Sequence, residues 1–250
     1  MALDVIDLLD APVIELDCID STNNYAMRLI DADTAQQGLT ITATEQTAGK
    51  GQRGRQWMGM PGESLLMTLI IKPHQHLEQQ FVFSAGVAVA IAELLSSLYE
   101  GWDVKIKWPN DIIINDKKAG GILIENILRG HSWLYGIVGL GLNILQGVFP
   151  AELPNATSLK IASGKDFNLT ALRDMLRRSI FTLCRQTNSA AIMQSYNHYL
   201  YRRGLEQTFS SGPEEWQGII VKVNDNGKLM VQLQNGSIAH YTHGDVTWTW

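Results

Sequence analysis

Cysteine is scarce: Cys18 and Cys184 are the two in 250 residues, far apart and in no metal or redox spacing. That excludes a disulfide framework and a thiolate zinc site, and it fits a reducing compartment. Positive charge is missing from the start of the chain. Residues 1–27 hold no Lys or Arg but include Asp4, Asp7, Asp10, Glu15, Asp17 and Asp20. A secretory signal needs a positive start and a transit peptide needs arginine, so a cytoplasmic protein is predicted. Long hydrophobic runs are absent too. The longest, Phe81 to Ala92, is broken by Ser84 and ends at Glu93, short of a membrane span. Net charge is −5, which excludes nucleic-acid binding driven by overall charge. His74, His76, His240 and His243 lack the helical i, i+4 spacing of a zinc site and read as surface residues.

What is present is more pointed. Gly49-Lys50-Gly51-Gln52-Arg53-Gly54-Arg55-Gln56-Trp57 packs three glycines and three cations into nine residues. Glycine lets a ligand approach main-chain N–H groups, and the cations stand where an anion would lie. The pattern is not a P-loop, because no Gly-Lys-Ser/Thr follows. It matches only the bare spacing of a dinucleotide fingerprint. Taken alone it is equally a mobile, solvated charge cluster. A second cluster is Lys107-Trp108-Pro109-Asn110-Asp111, followed by Lys117-Lys118-Ala119-Gly120-Gly121. Asp111 and Lys118 flank the arms of one hairpin and can share a cleft, or form a surface pair worth little. Asp20-Ser21-Thr22-Asn23 reads as a helix start, and Gly139-Leu140-Gly141-Leu142-Asn143 as a strand end.

Periodicity predicts an α+β chain. Expected helices are Asp4–Leu9, Asn24–Ile30, Phe81–Tyr99, Asn168–Cys184 and Ala190–Tyr201. Expected strands are Val13–Leu16, Leu39–Ala43, Leu65–Ile71, Val104–Lys107, Ile112–Ile114, Gly121–Leu128 and Trp133–Leu140. After Gly204 the pattern changes to strands Trp216–Val223, Lys228–Gln234 and Ile238–Tyr241, separated by Asn226-Gly227 and Asn235-Gly236, the positive-φ pairs of tight hairpins. A catalytic domain over 1–203 and a small β domain over 204–250 are expected, with Trp216, Trp248 and Trp250 filling the latter.

In order, the four clusters resemble the biotin–protein ligases: Asp-Ser-Thr-Asn at 20–23, Thr44 to Trp57, Lys107 to Asp111 with Lys118 to Glu125, and Gly139 to Asn143. The resemblance implies a mixed-sheet catalytic domain of the biotin/lipoate ligase type, followed by a small SH3-like β-barrel. It implies ATP and biotin as substrates, Mg²⁺ carried on the phosphates rather than in a dedicated protein site, and the biotin carboxyl carrier protein domain of a biotin-dependent carboxylase as acceptor. A homodimer is compatible with it. Lys118, Asp111 and Arg53 would be catalytic. Ser21, Thr22, Asn23, Gln46, Lys50, Gly51, Gln52, Lys118, Gly120 and Gly121 would hold biotin. Lys50, Arg53, Arg55, Trp57, Asn110, Lys118 and Asn143 would hold ATP or the adenylate.

The nearest alternatives are a lipoate or octanoate ligase of the same fold and a non-catalytic biotin-binding regulator. The former resembles an Arg-Arg-x-x-Gly-Gly-Gly loop with a His-Asp pair, neither present in this sequence. Two departures stand out. Lys50 and Gln52 replace arginines usual in the family loop; Lys50 keeps the charge without the bidentate fork, and Gln52 loses the charge. Fewer than twenty-one residues precede Ser21, so the winged helix-turn-helix of regulatory members, and with it DNA binding, is not expected.

Overall fold

A computed structural model describes residues 8–248. The predicted helix over Asp4–Leu9 lies outside these residues except for Leu8 and Leu9, which are helical, and Trp250 lies outside as well. The order is β1 (Val13–Ile19), α1 (Thr22–Asp31), β2 (Thr40–Gln46), β3 (Ser64–Ile71), α2 (Gln80–Leu98), β4 (Val104–Lys107), β5 (Asp111–Ile114), β6 (Lys117–Arg129) and β7 (Ser132–Asn143). Then come α3 (Leu159–Ser163), α4 (Leu169–Cys184), α5 (Ser189–Tyr199), β8 (Glu206–Ser211), β9 (Glu214–Val223), β10 (Leu229–Leu233), β11 (Ile238–Tyr241) and β12 (Thr247–Trp248).

The first seven strands form one mixed sheet, ordered β1-β2-β3-β7-β6-β5-β4, in which only β1 and β2 run parallel. Alternation along β3 and β7 divides its faces. Leu65, Met67, Leu69 and Ile71 join Val138, Leu140 and Leu142 in the main core with residues of α2, α4 and α5. The opposite face carries α1, packed through Ala26 on Ile41, Ile70 and Ile137. The rest of that face is left open and becomes the cleft.

Helix α2 is apolar all round, with eleven buried residues from Val82 to Leu95. By length and composition, Leu77–Leu98 would suffice to cross a membrane. In this chain its sides are taken by α4, α5 and β4, as an all-apolar helix in a core requires. The hairpin between β5 and β6 turns at Asn115 and Asp116, both left-handed (φ 50° and 62°), a backbone these two residue types tolerate.

The last five strands form an antiparallel sheet, ordered β11-β10-β9-β8-β12, in the manner of an SH3-like barrel. Sequence periodicity missed β8, whose Glu-Gln-Thr-Phe-Ser-Ser has one apolar residue, and the two-residue β12. Phe209 supplies the buried centre, stacked on Trp216 at 6.1 Å and tilted against Trp248 at 5.7 Å. The small sheet is fastened to the large one. Trp108 stacks on Trp248 at 6.1 Å, and its Nε1 donates to Gly227 O at 2.9 Å. Asn197 accepts from Val223 N (2.7 Å) and donates to Val223 O (2.9 Å).

Candidate active site

One cleft of about 590 Å³ lies on the open sheet face, in the size range of small-molecule sites. Its lining brings together Ser21, Thr22, Asn23, Gln46, Lys50, Gly51, Gln52, Arg53, Arg55, Trp57, Asn110, Asp111, Lys118 and Gly121, which are separated by up to 100 positions in the chain.

One end is polar, uncharged and buried. Arg28 and Asn24 hold the Asp20 carboxylate, whose pKa the Arg28 guanidinium drives well below the usual range. This anchors the entry to α1. Ser21 then adopts extended backbone as the N-cap, with its hydroxyl not spent on capping. Gln46 Oε1 accepts from Thr22 N at 2.8 Å and Thr22 Oγ1 at 3.0 Å. Asn23 Nδ2 donates to Glu125 Oε2 at 2.8 Å, and Thr68 Oγ1 lies 2.7 Å from Asn23 Oδ1 and 2.8 Å from Thr22 Oγ1. Register explains the fit. Thr68 on β3 faces Gly139 on β7, which faces Leu123 on β6. A Cβ at 139 would stand 2.4 Å from Asn23 Oδ1, so only glycine lets α1 approach the sheet this closely.

The other end is cationic. Lys118 Nζ sits 2.7 Å from Asp111 Oδ1. A bulge between Ile112 and Ile113 shifts the β5–β6 register there, so that Asp111 pairs with Gly121 and Lys118 with Ile113. Lys118's backbone is fixed on its outer side: its N–H donates to Asn155 O (2.7 Å) and its carbonyl accepts from Thr157 N (2.8 Å). Asn110 Nδ2 donates to the Ile122 carbonyl, and the Trp108–Pro109 peptide is cis. The lining carries Lys50, Arg53, Arg55, Lys107 and Lys118 against one carboxylate, Asp111, in a chain of net charge −5. Lys107 lies over the Trp248 ring at 5.2 Å, and burial pushes its ammonium pKa down to about 8.

Residues 50–56 form a hairpin over this end. Lys50 and Gln56 pair as an antiparallel bridge, and Gly51 N donates to Arg55 O at 2.7 Å. Lys50 Nζ reaches Glu125 Oε1 at 3.5 Å. Gln52 points inward, and its buried Oε1 has no protein partner. Trp57 lies flat on the sheet: a Cβ at 141 would be 2.5 Å from its ring, and one at 121 would be 3.4 Å away.

Two residues expected in the site stand outside the cleft lining. Gly120 faces the opposite way, because strand alternation points it at Leu142 Cδ1 and Gly141 O in the core while its neighbour Gly121 faces the cleft. Asn143 is buried and donates to Thr157 O at 3.0 Å. It thus holds the segment that fixes the Lys118 backbone. Conversely, sequence reasoning left Thr68, Lys107, Glu125, Gly139, Gly141, His243 and Trp248 without a site role. Thr68 had a signal, since it is the one polar side chain between Leu65 and Ile71. His243, read as a plain surface residue, is solvent-exposed yet lines the cleft edge-on to Trp108 at 5.7 Å. Trp248 serves both the small sheet's interior and the cleft wall.

The model of the biotin/lipoate A/B protein ligase family matches residues 15–143. This chain belongs to that family of ligases. It is 36% identical over 245 residues to the bifunctional ligase/repressor BirA of Bacillus spizizenii, covering 92% of this chain and 72% of the relative. It is 28% identical over 221 residues to the biotin–[acetyl-CoA-carboxylase] ligase of Paracoccus denitrificans, covering 85% and 91%. In fold it resembles the Aquifex aeolicus biotin protein ligase solved in complex with biotin and ATP, with a TM-score of 0.77, 24% identity and coverage of 95% and 98%. The family match takes in all of the cleft built on the large sheet and ends before the 243–248 wall.

Proposed function

We propose that this ligase activates biotin with ATP to biotinyl-5′-AMP and then transfers the biotinyl group to one lysine of a biotin carboxyl carrier protein domain. The observation that carries this reading is a single cleft with two chemistries: a neutral cradle of buried Ser21–Asn23 and half-buried Gln46, and a cationic end around Lys118 and Asp111. The cradle suits the ureido edge of biotin, because buried groups matched to a polar edge reject analogues that leave them unpaired. The cationic end suits a carboxylate and a triphosphate brought together.

In the first step a biotin carboxylate oxygen bonds to the α-phosphorus, the α–β bridging P–O bond breaks, and pyrophosphate leaves with its electrons. Both reactants are anions, so catalysis rests on positioning and charge. Lys118 supplies the central charge, with the cations of the hairpin above it. In the second step a neutral lysine amine attacks the acyl carbonyl, AMP departs, and the amide nitrogen loses a proton. Free lysine has a pKa near ~10.4, so the amine must be oriented and its proton drawn off. Asp111 is the carboxylate at hand to orient the amine or take its proton.

Mg²⁺ would neutralise phosphate charge when bound. No group of three or more His, Cys, Asp or Glu able to hold a metal occurs among the described residues, and Asp111 is engaged by Lys118. As the family resemblance implies, the ion is assigned to the phosphate oxygens. Pyrophosphate release tests the whole reading. With purified protein and ATP, release is expected to depend on biotin, and label from biotin is expected to appear on a carrier domain. Release driven by lipoate, or by neither acid, overturns it.

A further inference from the structure

The 50–56 hairpin lies over the cleft as a lid, and its tip rests on the small sheet through Arg53. Between β11 and β12 the chain makes a turn, with Asp245 Oδ2 accepting from Thr242 N at 2.7 Å and Asp245 N donating to Thr242 O at 2.9 Å. Arg53 Nη1 donates to His243 O in this turn at 3.0 Å, 190 positions away in sequence. The guanidinium fills the space beside Gly244. A Cβ there would fall 0.8 Å from Arg53 Nη1, 2.0 Å from Cζ and 2.7 Å from Nη2. Gly244 also has φ +94°, a backbone that disfavours a side chain on its own account. On the lid side, Arg53 is left-handed (φ 57°) and followed by Gly54 at φ +76°. The lid backbone is thus bent at the residue that reaches out.

The two partners differ in firmness. The turn belongs to a sheet stacked through Trp248 onto Trp108 and hydrogen-bonded through Gly227 and Val223. The lid residues 53–56 are exposed and closed only by the Lys50–Gln56 bridge and its neighbouring hydrogen bonds. Partial desolvation, and then Arg53 and Arg55, lower the His243 imidazole pKa from its ordinary value, so a charge on that ring is disfavoured beside the guanidinium.

We propose that the turn over residues 242–246 is a seat for the lid, in which Gly244 receives the Arg53 guanidinium and the His243 carbonyl holds it, so that the small sheet positions residues 50–56 over the cleft. Arg53 is then a positioning residue as well as one of the cleft's cations. The seating stands on this contact alone; its consequence for an acyl-adenylate rests on the function proposed above.

Limited trypsinolysis of the ligand-free full chain tests the seat without reference to activity. Cleavage after Lys50 and Arg55 is compared in the parent, Gly244→Ala, Arg53→Ala and the double variant. Each single substitution is expected to speed cleavage about tenfold, the effect of losing one hydrogen bond to a charged group. The double variant is expected to be no faster than Arg53→Ala. Unchanged cleavage in Gly244→Ala, or a double variant as fast as the product of the singles, overturns the seat. Thermal midpoints separate the clash from strain in the turn. Arg53→Ala should restore part of the midpoint lost in Gly244→Ala, and no recovery would mean that Gly244 serves only its own backbone. Biotinyl-AMP should leave Gly244→Ala faster than the parent. If no adenylate forms in the parent, the proposed function fails while the trypsin result still decides the seat.

Discussion

At the neutral end of the cleft, Ser21, Thr22 and Asn23 are at most 4% exposed and are braced by Gln46, Thr68 and Glu125. At the cationic end, Arg53, Gly54, Arg55 and Gln56 are exposed, Gln52 Oε1 is unpartnered, and the wall is shared with a second sheet. The first end is buried against the large sheet and closed by its own hydrogen bonds. The second is assembled from a hairpin, a strand pair and a turn distant in sequence. A neutral polar head calls for donors and acceptors in fixed places, which burial provides. Charges that form and leave during a reaction call for groups that can close and release.

The contrast can be broken by substitution at each end. The largest effect is expected for Lys118→Ala: biotin-dependent pyrophosphate release should fall by about 10²–10³-fold, as when one charge-stabilising donor is removed. The thermal midpoint should move little, because the Lys118–Asp111 pair is partly exposed. A large loss of stability with activity retained would make this end structural.

Thr68→Val should do the reverse. It strips the hydroxyl from a buried network and leaves Asn23 Oδ1 short of a donor, so it should cost about 1–3 kcal/mol in denaturant unfolding and raise the KM for biotin more than that for ATP. An unchanged biotin KM would separate the cradle from the ligand.

The smallest effect concerns pH. Lys107 titrates near 8 because burial disfavours its charge. Its charge is present below that pH and lost as pH rises through it. The kcat/KM for ATP should therefore fall between about pH 7 and 9, and Lys107→Arg, which stays charged, should flatten the fall. Equal slopes in the two proteins would remove Lys107 from the working charge of the cleft.

Much of this was legible in the sequence because its causes are local. Helix α2 follows from an apolar run flanked by polar residues, and the extreme ends of the cleft from the Ser-Thr-Asn, Gly-Lys-Gly and Lys-Trp-Pro-Asn-Asp segments. The Asn-Gly turns form where expected, but only Gly227 (φ 78°) and Gly236 (φ 82°) take positive φ; Asn226 and Asn235 do not, so the expected positive-φ pair reduces to its glycine. What was missed depends on register. Alternation says that one of Gly120 and Gly121 faces the cleft, but only the β5–β6 bulge and the pairing with β7 say which. Thr68 and Gly139 matter because β3 and β7 set them side by side beneath Asn23. His243 gained its place from a contact 190 residues away.

The sequence by itself determined the chemistry on offer: a cationic glycine-rich loop, an Asp–Lys hairpin pair, a polar helix start and a separate run of short strands. Residue type and short spacing suffice for that, since backbone preference and charge act over a few residues. Only the tertiary structure decided that Asn143 supports Lys118 from behind, that glycine at 139 admits the helix start, and that the small sheet walls the cleft and seats Arg53. Those outcomes hang on how strands align and which surfaces meet, and burial of the core as a whole, rather than any local segment, sets that alignment.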